Sequence, residues 1–321
     1  MNVLVVKPTA LGDVAQALLV VPQLKAAKGC TSLHWLVDED YAPLVRLCGE
    51  VDRVITFPRR RWRHSWCPLE MLDWFRGLAK GDYDLTVDLQ GLARSGLMTR
   101  MTHAGRRVGL ASAREGARLA YTEVVRDRQV HAVDRYAHLI SHCTGVPVSP
   151  RTLKRFEPPP APAGLPEKPF TVLHPYSQRL DKLWPWQRYE ELARALPQEV
   201  FVLVGQGPPF PVLAENVVDF RNRTDVADLI AILGRARTVV STDSGPIHIA
   251  SALGVPVVAI FGATSPERTG PRGERVRVLD RSPGVGHYGH RRVLNGVEAA
   301  ERMASIRVEE VVAAWSDLTQ P

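Results

Sequence analysis

Three loops of this chain carry side chains that could do chemistry. The first reads Lys7-Pro8-Thr9-Ala10-Leu11-Gly12-Asp13-Val14. Gly12 permits a tight turn and Asp13 sits at the mouth of a helix. A carboxylate there can cap orphan amides, which the spacing favours, or act as a base on a neighbouring hydroxyl. The second reads His174-Pro175-Tyr176-Ser177-Gln178-Arg179-Leu180-Asp181-Lys182-Leu183-Trp184-Pro185. Lys182 in it is a cation able to stabilise charge on a departing diphosphate, although a lone lysine is ordinarily a solvated one. The third holds Ser241-Thr242-Asp243-Ser244-Gly245-Pro246-Ile247-His248. A strand ends at Ser241, and a hydroxyl- and glycine-rich turn leads into a helix whose unpaired amides form a seat for a diphosphate. Asp243 would repel phosphate, so it is expected to orient the loop or bind a sugar hydroxyl. The plainer alternative is an ordinary strand-to-helix turn with His248 packed on its helix.

A fourth segment, Arg59-Arg60-Arg61-Trp62-Arg63-His64-Ser65-Trp66, concentrates arginine and tryptophan. Guanidinium forks suit carboxylates and phosphates, and tryptophan suits a membrane interface or a sugar face. A nucleic-acid groove is the rival, but no nucleic-acid-binding motif accompanies the segment, so an anionic lipid or sugar ranks first. Two Asp-x-Asp matches, Asp38-Glu39-Asp40 and Asp82-Tyr83-Asp84, have no histidine or further carboxylate support nearby, and no metal is expected. The dinucleotide fingerprint Gly-x-Gly-x-x-Gly is missing, which argues against a dehydrogenase. Cys30, Cys48, Cys67 and Cys143 are scattered without a Cys-x-x-Cys pair and are expected as reduced, mostly packed thiols.

The elements that must position these loops alternate along the chain. Apolar runs at 3–6, 33–37, 53–56, 85–88 and 107–109 predict strands. Helical spacing marks 13–27, 41–48, 69–79 and 92–102. Residues 156–169 hold six prolines, can be neither helix nor central strand, and are read as a linker. The alternation then restarts with strands at 171–174, 200–204, 217–220, 238–241 and 255–261, and with helices starting near Pro185, Asp225 and Pro246. The expected fold class is α/β, two Rossmann-like domains (1–155 and 170–321) facing across a cleft, with the last helix able to pack back on the first domain. Ligands of such sheets bind beyond the carboxyl ends of the strands, where the three loops lie.

The length of 321 residues suits two domains. Residues 1–160 carry 23 Lys/Arg against 16 Asp/Glu, while residues 161–321 carry 18 of each, so the whole net charge of +7 lies in the first half. A basic half suits an anionic partner, or merely solubility. No apolar run is long enough to span a bilayer, and the opening residues do not read as a signal peptide, so the expected location is cytoplasmic.

Taken in order, Lys7 to Asp13, Asp88-Leu89-Gln90-Gly91-Leu92-Ala93-Arg94-Ser95, Arg114-Glu115, Asp181 to Pro185 and Ser241 to His248 resemble glycosyltransferase family 9, the ADP-heptose:lipopolysaccharide heptosyltransferases of the B-type glycosyltransferase fold. The arginine–tryptophan segment looks like that of the subtype adding the first heptose to Kdo, with the second-heptose subtype or another nucleotide-sugar transferase of the family as the alternative. The resemblance implies inverting transfer from an ADP-sugar donor, a substrate rather than a cofactor, to an anionic lipid-linked acceptor, Kdo-lipid A. It implies Asp13 as base and Lys182 as the cation for the leaving ADP. The donor would lie on Ser177, Lys182, Thr242, Asp243, Ser244, Gly245 and His248. The acceptor would lie on Thr9, Arg59, Arg60, Arg61, Arg63, Arg94 and Arg114. Reversible contact with the inner membrane surface is expected, and no nucleic acid partner.

Two places depart from the family pattern. Gly205-Gln206-Gly207-Pro208-Pro209-Phe210 lacks an early acidic residue for a ribose, the next being Glu215. Residues 286–292 hold His287 and His290 where many relatives carry cysteines. A non-catalytic nucleic-acid-binding protein and a sugar-nucleotide epimerase are the alternatives from other classes. The first would bind nucleic acid with a steep salt dependence, and the second would consume donor without an acceptor.

Overall fold

The computed structural model describes residues 1–64, 68–153, 156–212, 214–282 and 296–320. It forms two compact units, Met1–Arg151 and Thr152–Pro321. The first holds six parallel strands: β1 (Asn2–Val6), β2 (Ser32–Asp38), β3 (Arg53–Phe57), β4 (Leu85–Asp88), β5 (Arg106–Leu110) and β6 (Glu123–Val125), in the order β3-β2-β1-β4-β5-β6. The second holds β7 (Phe170–His174), β8 (Val200–Leu203), β9 (Val217–Asp219), β10 (Thr238–Thr242), β11 (Val257–Phe261) and β12 (Val276–Asp280), in the order β12-β11-β10-β7-β8-β9. Counted from its own first strand, each sheet is wound 3-2-1-4-5-6, the doubly wound Rossmann order. The winding reverses between β1 and β4 and between β7 and β10. Val6 pairs with Asp88 and His174 with Ser241 at the carboxyl ends there.

The central strands lack the alternation of a half-exposed sheet because both faces are covered. Val3, Leu4, Val5 and Val6 are all fully buried. Leu4 and Val6 pack with Leu36, Phe57, Leu78 and Met98 on one side of the first sheet. In the second unit Leu173, Val240, Val258 and Ile260 meet Trp184, Tyr189, Leu192 and Met303. Two buried indoles in this core have their N–H satisfied: Trp184 donates to Ile306 O at 2.9 Å, and Trp315 donates to Thr171 Oγ1 at 2.9 Å. Either donor left unpaired would cost about 1–3 kcal/mol.

The strands expected from apolar runs form, within a residue or two at their ends. Two edge strands, β6 and β12, are additional. The helix expected over 13–27 splits into Leu11–Leu18 and a 3₁₀ segment Val21–Ala26, because Pro22 supplies no N–H for an α-helical turn. Helix Ala132–Thr144 is also additional, and the arginine-rich segment folds as a helix, Arg59–His64. The last helix, Val308–Thr319, lays Val308, Val311, Trp315 and Leu318 into the core of the second unit. Within the proline-rich segment, Pro159 O accepts from Arg235 Nη1 at 2.9 Å. Cys30, Cys48 and Cys143 are free, and burial pushes the last two thiols up to about 12; Cys67 lies outside the described residues.

Candidate functional site

In the first unit the loops after β1 and β4 meet at the switch point. Thr9 N donates to Gln90 Oε1 at 3.1 Å, and Thr9 Oγ1 reaches the same oxygen at 3.4 Å. The β4 loop is built on Asp88, which is buried. Its Oδ1 accepts from Gln90 N (2.8 Å) and Gly91 N (3.0 Å), and its Oδ2 accepts from Ser95 Oγ (2.9 Å) and Tyr121 OH (2.7 Å). Burial raises the pKa of Asp88, against the pull of these donors. Gly91 has φ 68°, and a Cβ on it would lie 3.1 Å from the Cβ of Ala113, so glycine suits this turn on both counts. Arg114 N closes the turn on Gly91 O at 2.8 Å.

Asp13 stands beside this loop. Ala10 occupies the N-cap, so the expected capping position for Asp13 is corrected by three residues: it is the third residue of helix Leu11–Leu18 and reaches back to Ala10 N at 3.4 Å. Its other partner is Lys7, whose Nζ lies 3.3 Å from Asp13 Oδ2. The Lys7 side chain is 3% exposed and that of Asp13 is 46% exposed. Burial alone would drive the Lys7 ammonium toward neutrality, yet Tyr136 and Asp13 raise its pKa above the ordinary value. Lys7 Nζ sits 5.4 Å from the centre of the Tyr136 ring. A buried cation thus backs a carboxylate that faces solvent.

The expected acceptor arginines divide into two sets. Arg59 Nη1 lies 3.7 Å from Asp38, and Arg60 Nη2 lies 2.8 Å from Asp40; Arg61 pairs with Glu70. Trp62 is packed edge-on against Phe57 and Trp74 and donates to Glu70 Oε1 at 3.1 Å. Arg94 stands 5.6 Å over the Phe57 ring, and Arg114 is exposed. The side chain of Arg63, like His287 and His290, lies outside the described residues.

In the second unit the loops after β7, β10 and β11 come together. Lys182 Nζ donates to Asp243 Oδ2 at 2.5 Å. Thr264 Oγ1 donates to the same oxygen at 2.7 Å, and His248 Nε2 lies 3.8 Å from Asp243 Oδ1. Burial would raise the Asp243 pKa, but hydrogen bonding with His248 and the charge of Lys182 hold it well below the ordinary carboxylate value. Ser244 is the N-cap of helix Gly245–Ala252 without capping it through its side chain. Its Oγ lies 3.2 Å from His174 Nδ1 and 3.1 Å from Ser241 Oγ. Burial pushes the His174 pKa down to about 4, so this ring is neutral at pH 7. Gly205, at φ 120°, lies against it: a Cβ there would come within 2.6 Å of Tyr176 and 2.9 Å of His174.

The sequence profile of glycosyltransferase family 9 (heptosyltransferase) matches residues 71–285, more than half of the chain. The chain belongs to glycosyltransferase family 9. It is 30% identical to lipopolysaccharide heptosyltransferase 1 of Escherichia coli O18:K1:H7 over 308 residues, covering 88% of this chain and 92% of the relative. It is 31% identical to lipopolysaccharide heptosyltransferase 1 of Pseudomonas aeruginosa, covering 85% of this chain and 82% of that protein. Its fold is that of the E. coli heptosyltransferase WaaC. With the ADP-bound structure the TM-score is 0.80 at 24% identity, covering 99% of this chain and 100% of that one. With the structure holding ADP-2-deoxy-2-fluoro heptose the TM-score is 0.75 at 26% identity, with 99% of each chain covered.

Within this family fold, Lys182, Asp243, Ser244, Gly245 and His248 are brought together at one switch point, and Asp13 and Thr9 at the other. Ser177 lies on the β7 loop, its Oγ accepting from Arg179 N at 3.3 Å. Thr242 ends β10 beside them. Strand alternation puts it on the same face as Val240, and it is fully buried with a hydroxyl that has no partner among the described residues. Four neighbours went unassigned in the sequence: Lys7, Gln90, His174 and Thr264. Thr264 follows β11, so the strand-end rule pointed toward it. Among the described residues no three His, Cys, Asp or Glu side chains gather as a metal-holding group.

Proposed function

We propose that this chain transfers L-glycero-D-manno-heptose from ADP-heptose to the Kdo of a lipid-linked inner-core acceptor, with inversion at the anomeric carbon. Asp13 carries the reading: a carboxylate at a switch point, open to solvent, and backed by an ammonium that has no access to it. As the acceptor hydroxyl attacks, its proton passes to Asp13, its oxygen bonds to the anomeric carbon, and the bond to the β-phosphate breaks with the electron pair leaving on ADP. Thr9, Arg59, Arg60, Arg61, Arg63, Arg94 and Arg114 are assigned to the anionic acceptor. Residues 156–169, near the start of the second unit, serve as the linker leading into its sheet.

The negative charge that develops on ADP falls to the second unit. An ammonium has three donors, and Lys182 spends one on Asp243, which leaves two for phosphate oxygens. Asp243 is itself neutralised by its partners, so it anchors Lys182 and takes a sugar hydroxyl rather than opposing the diphosphate. The amides of Ser244 and Gly245 at the helix end add their dipole. These groups supply the positive charge, so no metal is assigned. The enzyme works at the cytoplasmic face of the inner membrane.

ADP release from ADP-heptose tests this directly, measured with and without Kdo-lipid A and in the presence of EDTA. Acceptor-dependent release that survives EDTA is expected. Release without acceptor would point to an epimerase-like or hydrolytic enzyme, and loss in EDTA would overturn the metal-free assignment.

A further inference from the structure

A second arginine-rich surface lies beside the first, and its charges are disposed differently. Helix Ala93–Met101 packs on the short turn Ala117–Ala120 so closely that a Cβ on Gly96 would stand 2.9 Å from Ala117 Cα. The contact carries two leucines outward: Leu97 is 51% exposed and Leu119 is 91% exposed. Around them stand Arg94, Arg100, Arg114 and Arg118, all exposed. None of the four guanidinium groups makes a hydrogen bond or ion pair among the described residues. The nearby carboxylate, Glu115, is turned to the helix end, where its Oε2 accepts from Ala93 N at 3.2 Å. By contrast, Arg59, Arg60 and Arg61 each have a carboxylate partner, and Trp62 is half-buried with its ring packed edge-on against Phe57 and Trp74.

We propose that this face, Leu97 and Leu119 ringed by Arg94, Arg100, Arg114 and Arg118, is the surface that docks on an anionic bilayer. The proposal rests on the lipid-linked acceptor of the proposed function. Unpaired guanidinium groups bind headgroup phosphates without first breaking an internal pair, and protruding leucines enter the acyl boundary at little conformational cost. Paired arginines and a packed indole offer neither. The membrane contact expected of the arginine–tryptophan segment therefore moves to its neighbour. The same helix begins in the loop after β4, so a bilayer on this face meets the chain beside Arg94 and the candidate acceptor residues.

The test is cosedimentation of the full chain with vesicles of phosphatidylethanolamine and phosphatidylglycerol, with phosphatidylcholine vesicles as reference. The wild type should prefer the anionic vesicles. Arg100→Gln and Arg118→Gln should each weaken binding by about fivefold. The double variant Leu97→Asp/Leu119→Asp should lose about tenfold or more. All should keep wild-type transfer to a deacylated, water-soluble acceptor, because these four residues lie outside the assigned site. Equal binding to the neutral vesicles, or variants that bind as the wild type does, would overturn the proposal. So would variants that fail on the soluble acceptor, or a wild type that ignores vesicles and binds duplex DNA through the same arginines. A wild type inactive on every acceptor would sink the proposed function, while the vesicle arms would still decide this surface.

Discussion

The two units wind their strands identically and put an acid–base pair at the same topological place with the burial reversed. In the first, the cation is hidden and the carboxylate shown: Lys7 is 3% exposed against 46% for Asp13. In the second, the carboxylate is hidden and the cation is the more open partner: Asp243 is 8% exposed against 18% for Lys182. A buried ion of either sign needs a fixed partner, and the partner nearer solvent is the one free to meet substrate. One scaffold therefore offers a proton acceptor at one switch point and positive charge at the other. These are the two things an attack by a hydroxyl with loss of a diphosphate requires.

The largest effect is expected from removing the exposed member of the first pair. Asp13→Asn is expected to lower kcat by about 10²- to 10⁴-fold. The melting temperature should also fall, because the buried Lys7 ammonium loses its carboxylate partner even though the amide oxygen still accepts from Ala10 N; rate measurements by ADP release alongside calorimetry separate the two effects. Removing the shown member of the second pair comes next. Lys182→Met should cost about 10²- to 10³-fold in kcat. It should also lower stability, since it leaves Asp243 buried with less compensation, and a urea titration reads that part.

A subtler difference concerns pH. The His174 pKa is depressed from 6.5 to about 4, so the unfolded chain takes up a proton that the folded chain refuses between those values. Stability contributed by keeping the ring neutral is fully present above pH 6.5 and is lost as pH falls toward 4. About 2 kcal/mol should go between pH 6.5 and about pH 5. His174→Gln should flatten that part of the curve, seen as a smaller shift in the urea midpoint; an unchanged slope would contradict the neutral-ring account. The smallest effect is assigned to Arg60→Ala. Its exposed pair with Asp40 should contribute less than about 1 kcal/mol of stability, so the change should appear as a raised KM for the anionic acceptor.

How much of this was legible in the residues depends on how far apart the partners lie. The buried strands could be read because runs such as Val3 to Val6 are apolar without interruption. Edge strands could not: β6 is Glu-Val-Val and β12 mixes Arg277 and Asp280 with apolar residues, so neither carries the signal of a doubly covered strand. The loops that bear Asp13, Lys182 and Asp243 could be placed because each follows a strand. Their pairings could not. Tyr136, whose ring lies beneath Lys7, comes from a helix more than a hundred positions downstream, and local sequence gives no sign that Lys7 is buried. Composition likewise marked Arg59 to Trp62 as a cationic, interface-seeking surface. Folding supplies Asp38, Asp40 and Glu70 as partners and buries the indole edge, and the unpaired arginines lie one helix away.

The most direct test of the division of labour is ADP affinity by isothermal calorimetry in Asp13→Asn and Lys182→Met, each compared with the wild type. Affinity should be unchanged in the first and weaker by about tenfold or more in the second. Weakened ADP binding in Asp13→Asn with wild-type binding in Lys182→Met would contradict the assignment of the base to the first unit and of the donor to the second.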